Sequence, residues 1–219
     1  MPVSLAPRRW PVALALLATA ACGTSAPPDL AQADSAAATG PVSVEQQVLA
    51  SAAARADSAG PEIRSVRTSL KPDDCTIVSV DEEAGGSTQR CPGTAGYTLL
   101  ALEGDARASI TLVDAAGREH PLDYWGRVTG GFTSLGEEAE WRVRGEGASA
   151  VPIALITTLL ANEHPDDPER ISPYRVISKI TPTATCVTHA LDVIPSDDEV
   201  RRLADASASA PCRKGYSEP

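Results

Sequence analysis

The chain has 219 residues, a formal net charge of −10 and only 4% aromatic residues. An acid excess of this size repels phosphate backbones and excludes nucleic acid as an expected partner. So few aromatics argue against a broad stacking platform for sugars or bases, and the length allows one domain of ordinary size once terminal segments are set aside.

Residues 1–21 have the order of an export signal. Arg8 and Arg9 precede an apolar stretch from Pro11 to Ala18, which gives way to the small residues Thr19, Ala20 and Ala21. The apolar stretch is too short for a bilayer core of roughly 30 Å, which takes about 20 residues to span. Ala20-Ala21-Cys22 resembles the bacterial lipoprotein motif, in which the cysteine sulfur carries a diacylglycerol. Thr19 departs from that motif, standing where leucine is usual. Cleavage after Ala20 or Ala21 without acylation is the competing reading. Lipidation of Cys22 is the expectation, and with it a lipid-anchored place in the cell envelope. Gly23 after the cysteine suggests the periplasm-facing side of an outer membrane.

The cysteine count agrees. Cys22, Cys75, Cys91, Cys186 and Cys212 make an odd set, and acylation of Cys22 leaves four that can pair in an oxidising compartment. Four cysteines allow three pairings. The sequence-local one, Cys75–Cys91 with Cys186–Cys212, is favoured, each closing a loop worth roughly 3 kcal/mol in the chain-entropy model.

Residues 22–42 are rich in Ala, Ser, Asp, Thr and Pro, with Leu30 and Val42 their only larger aliphatic side chains, so a lipidated, disordered tether is expected there. Residues 43–60 form an alanine-rich helix or linker. Ser43 and Gln46 make a capping box, Val44, Val48 and Leu49 give a weak apolar face, and Gly60-Pro61 stops the helix.

Residues 61–215 form a β-rich globular domain. Strands are expected at Cys75–Val80, at Gly96–Leu102 and, after a Gly104-Asp105 hairpin turn, at Ala106–Val113. Asp114 to Gly117 is a second turn, and Gly131 to Gly136 reads as a third. Glu138 to Arg144 alternates, placing Ala139, Trp141 and Val143 inward and Glu138, Glu140, Arg142 and Arg144 on a solvated face. Glu138 or Glu140 is expected to pair with Arg142 or Arg144 of a neighbouring strand. Val151 to Leu160 is apolar on both faces and should be central. Tyr174–Ile180 and Cys186–Ile194 make a hairpin across the five-residue loop Thr181–Thr185. The last element is a helix capped by Ser196 and Glu199, with Val200, Leu203, Ala204, Ser207 and Ala208 on one face. The fold class is mainly β: an antiparallel sheet, sandwich or open barrel with a C-terminal helix, two disulfides and an N-terminal tether.

The pattern Cys75…Gly85-Gly86…Cys91-Pro92-Gly93…Gly96-Tyr97, followed by Leu135-Gly136…Glu140-Trp141-Arg142, Pro152–Ile156 and Cys186, resembles a family of small exported proteobacterial proteins. The likeness covers roughly residues 63–212. It implies the envelope address, the disulfides and the domain limits, and it implies no activity.

No residue set reads as catalytic, cofactor-binding or metal-ligating. There is no Gly-x-Ser-x-Gly elbow, and no two histidines stand at i and i+4. His120 and His164 read as solvated loop side chains, and His189 as a half-buried sheet histidine. Asp81-Glu82-Glu83 and the Glu163–Glu169 loop read as solvated acidic loops, without the spaced ligands of an EF-hand. Trp141 belongs to the core. Tyr124 and Trp125, in an irregular loop, are the exposed aromatics suited to a partner contact. The leading expectation is a non-enzymatic envelope lipoprotein, bound to the membrane through its lipid and to a protein or cell-wall partner through its domain. The alternatives are an envelope hydrolase or metal-dependent enzyme using His164 and the acidic loops, and a structural or assembly protein using the 43–59 helix.

Overall fold

The computed structural model describes residues 62–215 apart from 84 and 168. The expected export signal, lipidated Cys22, tether and 43–59 helix fall outside the described residues. Ten strands form two antiparallel sheets of five. The first sheet runs β1 (Ile63–Ser69), β7 (Phe132–Arg144), β8 (Val151–Asn162), β9 (Ile171–Ile180), β10 (Thr185–Leu191). The second runs β2 (Thr76–Asp81), β3 (Gly86–Cys91), β4 (Thr98–Gly104), β5 (Arg107–Val113), β6 (Glu119–Pro121). Each is a meander of consecutive strands, except that β1 lies beside β7, with Val66 opposite Trp141. The protein is therefore mainly β, and its two sheets form a sandwich.

The inner faces meet at Leu99, Ile110 and Leu112 of the second sheet and Trp141, Leu155, Leu159 and Val176 of the first. The buried Trp141 donates its indole N–H to Thr68 Oγ1 at 2.9 Å, so the largest ring of the core leaves no orphan donor. β8 is central and buried on both faces, as its continuous apolar run implies. Leu155 and Leu159 face the second sheet, while Ala154 and Ile156 face a helix.

That helix is α2 (Asp197–Asp205), which follows a single earlier helical turn, α1 (Tyr124–Arg127). Ser196 Oγ accepts the Glu199 N–H at 3.3 Å, so the expected N-cap forms. Val200 and Ala204 pack on Ala154, Ile156 and Ile177. The pairing of cysteines is the sequence-local one: Cys75–Cys91 ties the approach to β2 to the end of β3, and Cys186–Cys212 ties β10 to the segment beyond α2.

Several local expectations are corrected. The outer face of β7 is solvated only at its ends: Glu138 and Arg144 are exposed as expected, but Glu140 and Arg142 are 6% and 7% exposed. The C-terminal helix covers them and supplies Arg201 and Asp205 as partners, while Ser65 and Arg67 come from β1, where Arg67 lies 3.9 Å from both Glu138 and Glu140. Arg142 donates to both carboxylate oxygens of Asp205 at 2.6 and 2.8 Å, and Glu140 Oε1 accepts from Arg201 Nε at 2.6 Å and Ser65 Oγ at 2.5 Å. Alternation marks two faces of a strand but carries no information about what lies on either. Residues 132–136 are the first part of β7 rather than a turn. Gly136 serves close packing there, since a Cβ would stand 2.9 Å from Thr158 Cβ. The β4–β5 turn is centred on Asp105-Ala106, one residue later than expected, because Gly104 pairs with Arg107. Both central residues are left-handed, with φ of 52° and 54°, as a type I′ turn requires. Register follows the buried partners Leu99–Leu112 and Ala101–Ile110, and the turn accepts whichever residues that register leaves. The β9–β10 loop has four residues, Thr181–Ala184, because Thr185 already pairs with Ile180.

Candidate functional site

Among the described residues, β2 is an edge strand, paired on one side only. Its Thr-Ile-Val-Ser-Val run is β-forming, and the disulfide at its base holds it to β3. Ile77 lies opposite Gln89 and through it Ala101; Val80 lies opposite Ser87 and through it Glu103. Ala101 packs against the core, so Ile77 and Val80 project from the core-facing side of their sheet. Nothing among the described residues covers them: they are 66% and 59% exposed. Val78, 52% exposed, stands at a register irregularity between Ile77 and Ser79.

On the outer face of the same sheet, a groove of about 340 Å³ runs from Ser79 and Asp81 across Thr88 and Leu102 to Trp125. Trp125 is 40% exposed. Its neighbour Tyr124 is buried, which corrects the pairing of the two as surface aromatics. The Tyr124 N–H donates to Ser109 Oγ at 3.0 Å and its hydroxyl shares a 2.8 Å hydrogen bond with Thr157 of β8. Burial pushes the phenol up to about 12, against that hydrogen bond. Consecutive residues on a helical turn point about 100° apart, so one ring anchors the turn between the sheets and the other remains on the surface.

Charge is concentrated at the two ends of β2. Asp73 and Asp74 precede it, Asp81, Glu82 and Glu83 close it, and all five are exposed. The nearby Lys71 is engaged by Glu137 at 3.2 Å. Acidic flanks around a β-branched run are a gatekeeper pattern readable in the sequence, and they were the available sign that this strand is open.

The opposite end of the sandwich carries a larger cleft of about 650 Å³, lined by Tyr97, Asp114, His120, Pro152 and the loop Thr181–Ala184. Asp114 braces the β5–β6 turn. Its Oδ1 accepts the backbone N–H groups of Ala116 and Arg118, and its Oδ2 accepts Arg118 Nε at 2.7 Å and lies 3.2 Å from His120 Nε2. The Arg118 N–H above all holds the carboxyl well below the usual carboxylate range, against a smaller opposing effect of burial. His120 is thus a partly buried strand residue beside a carboxylate, not a solvated loop side chain. His164 Nε2 meets Ser172 Oγ at 3.2 Å, and Glu163 accepts the Tyr174 hydroxyl at 2.8 Å. His164 and Asp166 line neither the cleft nor the Trp125 groove, so neither concavity brings them to Asp81. His189 is half-buried as expected, and burial lowers its imidazole below the ordinary value, with Arg213 adding to the effect.

Glu140 is the other perturbed carboxyl. Burial would raise it, but the hydrogen bonds from Arg201 and Ser65 and the charge of Arg67 outweigh burial and leave it lowered. Its partners are structural, joining β1, β7 and α2. Among the described residues, no group of three or more His, Cys, Asp or Glu side chains is placed to hold a metal ion, and no helix is long and apolar enough to cross a membrane. No protein-family model, curated protein or solved structure matches the chain.

Proposed function

We propose that the protein is a cell-envelope lipoprotein, held at the periplasm-facing outer membrane through Cys22, whose sandwich works as a non-enzymatic binding module for another protein. The observation that carries the binding reading is the open apolar strand: Ile77, Val78 and Val80 are all more than half exposed on an edge of the sheet that also presents Trp125. Exposed apolar side chains gathered at one sheet edge, Ile77 and Val80 on one face and Trp125 on the other, support an interaction role. It favours a polypeptide over a cell-wall glycan, because β2 offers methyl groups where a glycan needs hydroxyl partners and aromatic faces. The envelope address rests on the leader, the Ala20-Ala21-Cys22 motif and the even set of cysteines that acylation leaves. Membership of the exported family that the cysteine and Glu-Trp-Arg pattern resembles is part of the same proposal.

Two measurements test it. Intact-mass analysis of membrane-extracted protein should show acyl chains on a chain beginning at Cys22; an unmodified chain beginning at Ala21 or Cys22 refutes the anchor. A photo-crosslinker placed at Val80 or Trp125 in the living host should give a discrete adduct with one protein, while the same group at Asp198, on the far side of the first sheet, should not. Absence of a discrete adduct from the second sheet, or an identical smear from all three positions, refutes the binding reading.

A further inference from the structure

We propose that β2 itself is the recognition element, and that it takes an extended segment of a partner protein as an added antiparallel strand, apolar at alternate positions and flanked at both ends by Lys or Arg. This deepens the binding reading above and rests on it.

Edge strands are templates for pairing, and folded proteins usually blunt them by shortness, proline or charge on the strand. Among the other edges, β6 has three residues and includes Pro121, β1 carries Arg64 and Arg67, and the Val187 carbonyl of β10 accepts the Arg213 N–H at 2.8 Å. β2 is left unblunted at its centre. It has six residues, no proline, and three β-branched apolar side chains open to solvent. A strand laid along it gains main-chain hydrogen bonds from the edge and apolar contact from one face, the mode by which sheet edges capture extended peptides.

The charges select the occupant. Five exposed carboxylates, Asp73, Asp74, Asp81, Glu82 and Glu83, bracket the apolar stretch. Two copies of β2 paired antiparallel would set Asp81–Glu83 of one beside Asp73 and Asp74 of the other. Paired in parallel, each acidic end would meet itself. Like charges set opposite one another destabilise either arrangement. The chain's own 43–59 segment carries Glu45 and Asp57 against the single Arg55, so it has no basic ends to offer. A segment with cationic flanks satisfies both acidic ends at once. Its apolar side chains would sit beside Ile77 and Val80. On the other face, a side chain would enter the groove whose floor is Ser79, Thr88 and Leu102 and whose wall is Trp125.

The test uses the full chain in non-ionic detergent with three fluorescent nine-residue peptides of Val-Thr-Val-Thr-Val centre: one with lysines on both flanks, one with glutamates, and one lysine-flanked with its central Val replaced by Pro. The lysine-flanked peptide should bind about tenfold or more tightly than either control, a difference that several rim charge pairs and the lost ladder supply. The advantage over the glutamate-flanked peptide should shrink in high salt. Amide exchange should slow within Thr76–Asp81 when the peptide is added. The variant Asp73→Lys with Glu82→Lys and Glu83→Lys, changed only at exposed side chains, should invert the preference toward the glutamate-flanked peptide.

Equal affinity for all three peptides, or protection that appears elsewhere and not in β2, overturns the proposal. So does a concentration-dependent dimer that protects β2, which would assign the edge to a second copy. Protection of β2 in the free chain that disappears when residues 43–60 are removed would assign it to the chain's own segment, with the same consequence. A discrete crosslink through Trp125 with no peptide discrimination at β2 overturns strand addition alone and leaves the binding module standing. If the triple variant does not fold, the three peptides on the unaltered chain decide the matter.

Discussion

The two sheets treat charge and apolar surface in opposite ways. On the first, Arg142 and Glu140 of β7 lie under α2: Arg142 is clamped by Asp205, and Glu140 is held by Arg201 and Ser65. On the second, the apolar side chains of β2 lie open to water. The difference is one of cover. α2 comes at the end of the chain and is fastened beyond its C-terminus by Cys186–Cys212, so it converts the outside of β7 into an interior. No described element does the same for β2. Buried charges with their partners in place read as architecture, and methyl groups that no described residue covers are what the proposed binding role rests on.

The largest test of that contrast is on the covered side. Replacing Arg142 by Ala leaves Asp205 and Ser65 without their donor beneath the helix, and should cost about 3 kcal/mol, the range for breaking one side of a buried pair. Arg64→Ala on the exposed part of β1 should cost less than about 0.5 kcal/mol. Chemical denaturation of the two variants measures the difference, and similar losses would mean that α2 does not shield β7.

Next is the staple beneath the open hairpin. Cys75→Ala with Cys91→Ala removes a 16-residue closure, which in the chain-entropy model is worth about 3 kcal/mol. Because β2 has no cover to hold it, the loss should be local as well as global. Amide exchange in Thr76–Cys91 should accelerate more than exchange in β8. Uniform acceleration would show that the hairpin is part of the cooperative core.

How far the sequence reveals these regions follows from the range of the interactions that make them. The Ser196 cap, the Asp114–Gly117 turn, the central place of β8 and the local disulfides depend on neighbours a few to about 25 residues away, and their patterns are legible. The cover over Glu140 depends on Arg201, 61 positions on, and alternation along β7 cannot announce it. The Tyr124 hydroxyl finds Thr157 across 33 positions, so two adjacent aromatics that read as one patch separate into an anchor and a surface ring. The openness of β2 had only an indirect trace, the acidic residues at its ends.

Acid should distinguish the regions more gently. Glu140 is lowered in the folded state, so it stabilises the fold fully above its ordinary value of 4.5 and loses that contribution as pH falls through its folded value. Asp114, lowered from 3.8, behaves the same way at lower pH. Thermal stability should therefore decline as pH drops below about 4.5. Glu140→Gln should flatten the upper part of that decline while lowering stability at neutral pH. An unchanged profile in the variant would show that Glu140 does not carry the linkage.

The smallest expected effect on stability is the most telling about function. Ile77→Thr and Val80→Thr exchange exposed apolar groups for β-forming polar ones on an edge strand. Their combined cost should stay within about 0.5 kcal/mol, as for surface changes away from any packed feature. A core position of the same size would lose several times that when truncated. If the double variant keeps its unfolding midpoint, those methyl groups contribute nothing to the fold of the free protein, as the proposed partner contact expects. If it loses more than about 2 kcal/mol, β2 is covered in the intact chain after all, and the contrast between the two sheets fails with it.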